Sequence, residues 1–160
     1  MVAEMTTRLF YDNTRDQISQ AWGNWVDSMA DWEWYATMTF RDPVDPRFPN
    51  WTQVGWKSAH SALRSFNSAL VMELDWSNPI WVAVGETQAR GTPHWHALVA
   101  NVSDQRRMSW VDWWYDHYGI ARILPYDRQL GARYYLGKYL TKQLANVEFS
   151  PALHAQLGRT

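Results

Sequence analysis

Two histidines separated by a single residue, His94 and His96, are the most chemically specific feature of the sequence. They begin the apolar run HWHALVA, which is typical of a β-strand, and alternate residues of a strand share one face of a sheet. Two imidazoles on one face can therefore chelate a single divalent ion. The alternative interpretation is a pair of histidines on the solvent face of a half-buried strand.

Glu86 is the third candidate metal ligand. It lies near the end of the preceding apolar run, IWVAVGET, and the turn residues of the connecting QARGTP predict a β-hairpin that brings its carboxylate towards the histidines. Three protein ligands leave coordination positions for water and for a phosphate oxygen, as metal-assisted phosphoryl chemistry requires. The sequence has no cysteine, which excludes thiolate metal sites, disulfides and thiol catalysis.

A second candidate group lies on the last predicted helix, where the sequence YLGKYLTK carries Tyr135, Lys138, Tyr139 and Lys142. At about 100° per residue, these four positions fall within roughly a 100° arc of the helix. A protonated phenol is a weak nucleophile, and a neighbouring cation stabilises the phenolate. The lysine three residues after each tyrosine supplies that cation. An ordinary surface helix with aromatic and basic residues is the alternative interpretation.

Basic residues are concentrated in the second half of the chain, although the net charge of the whole sequence is −1. Residues 1–80 contain six Lys or Arg against ten Asp or Glu, whereas residues 81–160 contain nine against six. We therefore expect phosphate groups to dock on the C-terminal half, with Arg90, Arg122, Arg128 and Arg133 as candidate contacts. The 12 tryptophans can serve as core residues or as stacking platforms for unpaired bases.

The order of predicted elements places these groups on one sheet. Four helices are predicted. The first runs over about residues 14–30 and the last over 129–147. The second begins at a cap, Asn50 or Thr52, and ends near residue 74, and the third begins at Ser103 or Asp104 and ends near residue 118. Strands are predicted at 32–40, in the two arms of the hairpin and in IARILPY. After the N-terminal helix the order is β-α-β-β-α-β-α. It predicts a single α+β domain over residues 1–160, with a four-stranded, mostly antiparallel sheet and helices on one face.

Together, the metal ligands and the tyrosine helix would make a complete transesterification site: a metal, a nucleophile and cations for the phosphate. The segments WYATMTF, GETQARGTPHWHALV and GARYYLGKYLTK, in this order over residues 34–142, resemble the three ordered motifs of Rep-type HUH endonucleases, which initiate rolling-circle replication. The resemblance implies that Glu86, His94 and His96 bind Mg²⁺ or Mn²⁺. It also implies an RRM-like (ferredoxin-like) sheet and a helix tyrosine that cleaves one DNA strand, leaving a 5′-phosphotyrosine and a free 3′-OH.

The YxxKYxxK spacing is similar to that of the two-tyrosine Reps of small single-stranded DNA phages. This similarity implies catalytic roles for Tyr135, Tyr139, Lys138 and Lys142. Tyr135 is expected to attack first because the two-tyrosine pattern starts at its position, and Tyr139 would then act in an exchange. A single nucleophile beside a tyrosine that only packs or stacks remains the alternative, and Tyr134 is expected to be dispensable for cleavage.

The expected partner is single-stranded or hairpin origin DNA, with a host helicase and polymerase as further partners. The sequence has no GxxxxGK[ST] pattern, so no helicase domain is expected. It has no secretion signal and no membrane-spanning run, and we expect a cytoplasmic monomer that does not engage a membrane.

Two other function classes remain open. One is a non-catalytic RRM-like module that binds single-stranded nucleic acid through stacking aromatic residues. The other is a nuclease that uses metal-bound water and needs neither tyrosine. Glu33 and Asp42, at the ends of the first strand, are candidate additional metal ligands, whereas His60, His117 and His154 are expected to be ordinary packing or surface residues.

Overall fold

The computed structural model describes residues 2–41, 47, 54–75, 77–140 and 146–159. In chain order the elements are α1 (Val2–Asp27), β1 (Trp34–Met38), α2 (Trp56–Glu73), β2 (Ile80–Thr87), β3 (Pro93–Ala100), α3 (Arg107–His117), β4 (Ala121–Pro125), α4 (Gly131–Leu140), β5 (Val147–Phe149) and α5 (Pro151–Leu157). The predicted α+β class and the element order from β1 to α4 are confirmed. None of the described helices combines the length with the apolar character needed to cross a bilayer.

The strands form one sheet in the order β4-β1-β3-β2-β5, and all adjacent strands are antiparallel. The prediction of four strands was wrong because the last helix was expected to continue to residue 147. The structure describes α4 as Gly131–Leu140, whereas Val147 begins β5 and is paired with Val84 of β2. Pairing with β5 gives the backbone groups along that side of β2 hydrogen-bond partners.

Helices cover both faces of the sheet, which corrects the predicted arrangement with helices on one face. On one face, α2 and α3 contribute Phe66 and Trp114 to a buried cluster with Trp95 of β3. On the other face, α1, α4 and α5 form a second cluster, in which Leu136 of α4 joins Leu98 of β3. Both β2 and β3 are buried at nearly every position, and such strands require cover on both faces.

The hairpin of β2 and β3 has the predicted bounds to within one residue. The backbone N–H of Gln88 donates to the Thr92 carbonyl, and Gly91 adopts a φ of 83°, a left-handed conformation that glycine tolerates well. The start of α2 differs from the prediction: its N-cap is Gly55, and the predicted caps Asn50 and Thr52 lie outside the described residues.

The start of α3 also lies later than predicted. The helix begins at Arg107, and neither Ser103 nor Asp104 caps it. The preceding residues form a turn in which the Gln105 backbone N–H donates to the Val102 carbonyl. Ser103 and Asp104 belong to residue types that favour turns as well as helix N-caps, and here they lie in the turn before the helix.

β1 separates its side chains between the two faces of the sheet. Trp34, Ala36 and Met38 are buried in the cluster with α2 and α3, whereas Tyr35 and Thr37 alternate with them and are half-buried. Tyr35 packs with the second cluster, on the face covered by α4. The strand thus directs Tyr35 and Thr37 towards the helix that carries the candidate nucleophiles.

Candidate metal centre and tyrosine helix

The hairpin brings the three predicted metal ligands together. Glu86 and His94 are directly opposite in the antiparallel register, and His96 follows on the same face. His94 Nε2 lies 3.0 Å from Glu86 Oε2 and 2.7 Å from His96 Nε2, and His96 Nε2 lies 3.3 Å from the same carboxylate oxygen. Within the described part of the chain, this His-His-Glu triad is the one group of at least three acidic or histidine residues with converging ligand atoms.

The spacing of the triad fits a divalent cation. Mg²⁺ takes octahedral ligands at about 2.0–2.1 Å, so neighbouring ligand atoms lie about 3 Å apart. The three separations within the triad bracket this spacing. The three ligand atoms converge on one region, and one cation there could be coordinated by all three. Three ligands also leave positions for oxygen atoms of water or substrate.

Burial and hydrogen bonding shift the pKa values of all three side chains of the triad. Burial lowers the pKa of His94, and it lowers the pKa of His96 to about 4 with a further contribution from the neighbouring His94. Burial alone would raise the pKa of Glu86, but hydrogen bonds with His96 and His94 hold that pKa below its usual range. At neutral pH the triad therefore offers two uncharged imidazoles and one carboxylate, the protonation states in which these groups bind metal.

Tyr139 is the helix tyrosine that contacts the triad. Its ring stacks on the His96 imidazole, with centroids 3.7 Å apart and planes inclined by 11°. α4 reaches this position because Ala132 and Leu136 are fully buried and anchor the helix on the sheet. The Tyr139 phenol thus lies beside a candidate metal ligand.

Lys138 accompanies Tyr139 and is exposed to solvent. Its Nζ lies 4.8 Å from the centroid of the Tyr139 ring. A hydrogen bond with the Tyr139 side chain raises the pKa of Lys138 above its ordinary value. The lysine is therefore protonated at neutral pH, and its cation is placed to stabilise a phenolate at Tyr139. Lys142, the second predicted lysine, lies outside the described residues.

Tyr135 occupies a different environment from Tyr139. Its hydroxyl oxygen accepts a hydrogen bond of 3.0 Å from the backbone N–H of Asp127. Its ring packs between Tyr35, at a centroid distance of 4.7 Å, and Tyr126, at 5.1 Å. Tyr135 therefore packs behind the triad rather than against its ligands. Tyr134, the neighbouring residue, is 67% exposed.

Tyr35 is a site residue that the sequence interpretation missed. Its hydroxyl oxygen lies 3.1 Å from His96 Nδ1, on the side of the imidazole opposite the triad, and the two rings are nearly parallel at 9°. The available signal was its alternation with Thr37 on β1, because Thr37 is directly opposite His96 in the sheet. That signal could be used only once β1 was known to pair with β3.

Two of the predicted phosphate-binding arginines lie near the triad. Arg122 is directly opposite Thr37, which is opposite His96, so the three side chains form a row across β4, β1 and β3 on the face of the triad. Arg122 is exposed. Arg90, in the hairpin turn, donates a hydrogen bond of 2.7 Å to the Phe40 carbonyl, and its charge contributes to the lowered pKa of His94.

The other two arginines take part in contacts within the protein. Arg128 forms a surface ion pair with Asp31. Arg133 of α4 forms an ion pair with Asp16 and donates a hydrogen bond of 2.7 Å to the Gln20 side chain, both on α1. The two contacts of Arg133 join α4 to α1.

Glu33, the described one of the two candidate ligands at the ends of the first strand, does not join the triad. Glu33 instead accepts a hydrogen bond of 2.9 Å from the Val102 backbone N–H, and Asp42 lies outside the described residues. His60 contacts Glu148, and His117 stacks on Trp113. His154 lies on α5 and is absent from the triad, as expected for an ordinary surface residue.

Comparison with known proteins gives one family match. Residues 33–144 match the family described as replication-associated protein ORF2. The matched segment includes the whole triad and all of α4, and it leaves out α1, β5 and α5. No curated protein and no solved structure matches the chain.

Proposed function

Because the chain belongs to the replication-associated protein ORF2 family, we propose that it is a HUH-type endonuclease that nicks and rejoins single-stranded DNA to initiate rolling-circle replication. The observation that carries this proposal is the stacking of Tyr139 on His96 of the His-His-Glu triad, which places a nucleophile beside a candidate metal ligand. A binding module would need neither the triad nor the adjacent lysine cation.

The proposed reaction exchanges one phosphoester bond for another. The Tyr139 oxygen forms a bond to phosphorus as the bond from phosphorus to the 3′ oxygen breaks. The phenolic proton is lost to solvent, and the 3′ oxygen takes up a proton to become a free 3′-OH. The DNA downstream of the nick remains attached through a 5′-phosphotyrosine. Because each step conserves one phosphoester bond, the reverse reaction can join strands without a nucleotide triphosphate.

Glu86, His94 and His96 would hold the divalent ion, which we propose to be Mg²⁺ or Mn²⁺. Oxygen and imidazole ligands suit both ions. When bound, the ion would polarise the scissile phosphodiester and neutralise charge that develops on it. Lys138 stabilises the attacking phenolate, and Lys142 is proposed to hold the phosphate or the leaving oxygen.

We assign the first attack to Tyr139 and the second attack of an exchange mechanism to Tyr135. Contact with His96 supports the first assignment. The second assignment requires the Tyr135 hydroxyl to leave the Asp127 backbone N–H, because that hydrogen bond holds it behind the triad. This order reverses the one that the two-tyrosine spacing alone favours.

The proposed DNA path runs across the face of the sheet that carries the triad. Arg122 supports this path because it is exposed and lies in one row with Thr37 and His96. Arg90 extends the path at the hairpin, whereas Arg128 and Arg133 would have to exchange an internal acidic partner for a phosphate. The substrate is proposed to be an unpaired strand or hairpin loop, because in-line attack needs a splayed backbone.

The fold supports the same interpretation. The strand order β4-β1-β3-β2, with α2 and α3 on one face, is compatible with the RRM-like sheet expected from the family resemblance, to which β5 adds an edge strand. We also propose that the protein is a monomer and that a host helicase and a host polymerase act with it.

The test is incubation with a panel of single-stranded candidate origin DNAs and Mn²⁺, followed by a denaturing gel. A cleaved strand that migrates with the protein after denaturation would support the proposal. Cleavage without a covalent adduct would indicate a nuclease that uses metal-bound water, and binding without cleavage would indicate a non-catalytic module. Either of these results would overturn the proposal.

A further inference from the structure

Tyr35 contacts His96 on the side of the imidazole opposite the triad. We propose that Tyr35 is a positioning residue that fixes the orientation and the tautomer of His96, so that the His96 Nε2 lone pair points at the bound cation. This inference rests on the proposed function of the triad as a metal centre. It concerns a residue of β1, a strand that contributes no ligand to the triad.

The contact between the two side chains has the geometry of a hydrogen bond. The Tyr35 hydroxyl oxygen lies 3.1 Å from His96 Nδ1, while His96 Nε2 on the other side of the ring faces Glu86 and His94. In the metal-free protein, His96 Nε2 is in hydrogen-bond contact with Glu86. When a cation takes the place of that contact, the one proton of the neutral imidazole lies on Nδ1, from which it is donated to the Tyr35 hydroxyl oxygen. That is the tautomer which a metal ligand bound through Nε2 needs.

Packing holds the Tyr35 hydroxyl in place. Its ring is in contact with the Tyr135 ring and is nearly parallel to the His96 imidazole. A neutral hydroxyl fixed by its ring can accept from Nδ1 without adding a charge near the triad.

His94 provides an internal comparison. Its Nδ1 is buried, and no hydrogen-bond partner for that atom is found among the described residues. The orientation of His94 therefore depends on Glu86, His96 and packing. In His96, by contrast, the nitrogen that faces away from the triad, Nδ1, is in contact with the Tyr35 hydroxyl. Loss of that hydroxyl should affect the triad through His96 specifically.

The test measures Mn²⁺ affinity of the metal-free protein by calorimetry, without DNA. Y35F keeps the aromatic ring and removes only the hydroxyl, and we expect its affinity for Mn²⁺ to fall by about 10- to 100-fold. Y126F is the matched control: it removes a tyrosine hydroxyl from the same aromatic cluster, but that hydroxyl donates to Asp27 rather than contacting a metal ligand. Its Mn²⁺ affinity should equal that of the wild type.

The outcomes separate this inference from the proposed function. Wild-type affinity in Y35F, together with lost affinity in H96A, would overturn the role of Tyr35 and leave the metal centre standing. Wild-type affinity in H96A would overturn the metal centre itself. Equal loss in Y35F and Y126F would also overturn the inference, because it would show a general effect of disturbing the cluster.

A spectroscopic measurement covers the case in which Y35F folds poorly. NMR of isotope-labelled histidine in the wild type loaded with Mg²⁺ should show the His96 Nδ1–H protected from exchange with water, because the Tyr35 hydroxyl accepts its hydrogen bond. In Y35F this exchange should become faster. A His96 Nδ1–H that exchanges freely in the Mg²⁺-loaded wild type would overturn the proposal without the need for any variant.

Discussion

The Tyr139 ring lies flat on the His96 imidazole, with ring centroids 3.7 Å apart and an interplanar angle of 11°. His96 is in turn within 3.3 Å of the Glu86 carboxylate and 2.7 Å of the His94 imidazole. A side chain that can attack phosphorus and a side chain that can bind a cation are therefore in direct contact. This relationship determines which of the helix tyrosines is expected to act first.

The two helix tyrosines should differ in their effect on the first cut. Y139F should lose covalent adduct formation by a factor on the order of 10³ or more, because the attacking oxygen is removed. Y135F should still form the first adduct but fail to transfer the strand in a second attack. The measurement is adduct yield over time on a denaturing gel, followed by a strand-transfer assay with a second oligonucleotide.

Y134F is the control for both tyrosine variants, because Tyr134 is exposed and neighbours them on the same helix. It should cleave and join like the wild type. Full adduct formation by Y139F, or complete loss of adduct in Y135F alone, would contradict the assigned order of attack.

Removal of either triad histidine should abolish metal binding and cleavage together. H94A and H96A each leave two ligands, and calorimetry should show loss of Mn²⁺ binding, while binding to single-stranded DNA persists through cationic contacts. H117A is the matched control, because His117 stacks on Trp113 in α3, away from the triad. Undiminished nicking by the double variant H94A/H96A would be incompatible with the metal centre.

Arg122 should contribute to DNA binding more than Arg133 does. R122A should weaken binding to single-stranded DNA and reduce the slope of log K against log salt by about 0.7, the value for one lost phosphate contact. R133A should chiefly lower protein stability, because Arg133 joins α4 to Asp16 and Gln20 of α1. Fluorescence anisotropy over a salt series measures the slopes, and equal slopes for R122A and wild type would remove Arg122 from the DNA path.

The close approach of α1 to α4 should make Gly23 intolerant of a larger side chain. A Cβ at Gly23 would lie 2.6 Å from Arg133 Cβ and 3.0 Å from its backbone nitrogen. Overpacking should outweigh the gain in helix propensity, so G23A should lose on the order of 1 kcal/mol of unfolding free energy. Urea denaturation checks this. G158A, where a Cβ meets nothing closer than 3.6 Å, should be close to neutral, and equal stability of the two variants would count against the described packing.

The triad could be predicted from the sequence because it depends on short-range rules. His94 and His96 share a face through the two-residue period of a strand, and Glu86 reaches them across a single hairpin. The contact of Tyr35 with His96 depends on pairing between β1 and β3, which are separated along the chain by α2 and β2. No local pattern specifies that pairing.

The distinction between Tyr135 and Tyr139 could not be predicted for a related reason. Helical periodicity places both within one arc, but the rotation of α4 about its own axis decides which of them meets His96. That rotation depends on the packing of α4 against α1, including the contacts of Arg133 with Asp16 and Gln20. β5 was missed for a similar reason. The hydrophobic spacing predicted a helix up to residue 147, and that local pattern carries no information on the pairing of residues 147–149 with β2.

Identification of the residue that carries the DNA after cleavage tests directly whether Tyr139 is the nucleophile. The wild-type protein is incubated with a cleavable single-stranded oligonucleotide and Mn²⁺, and the product is analysed by intact mass and, after nuclease digestion, by peptide mapping. We expect a mass increase equal to the 5′-phosphorylated downstream fragment less one water, and attachment at Tyr139. Cleavage without a mass increase, or attachment mainly at a residue other than Tyr139, would contradict this expectation.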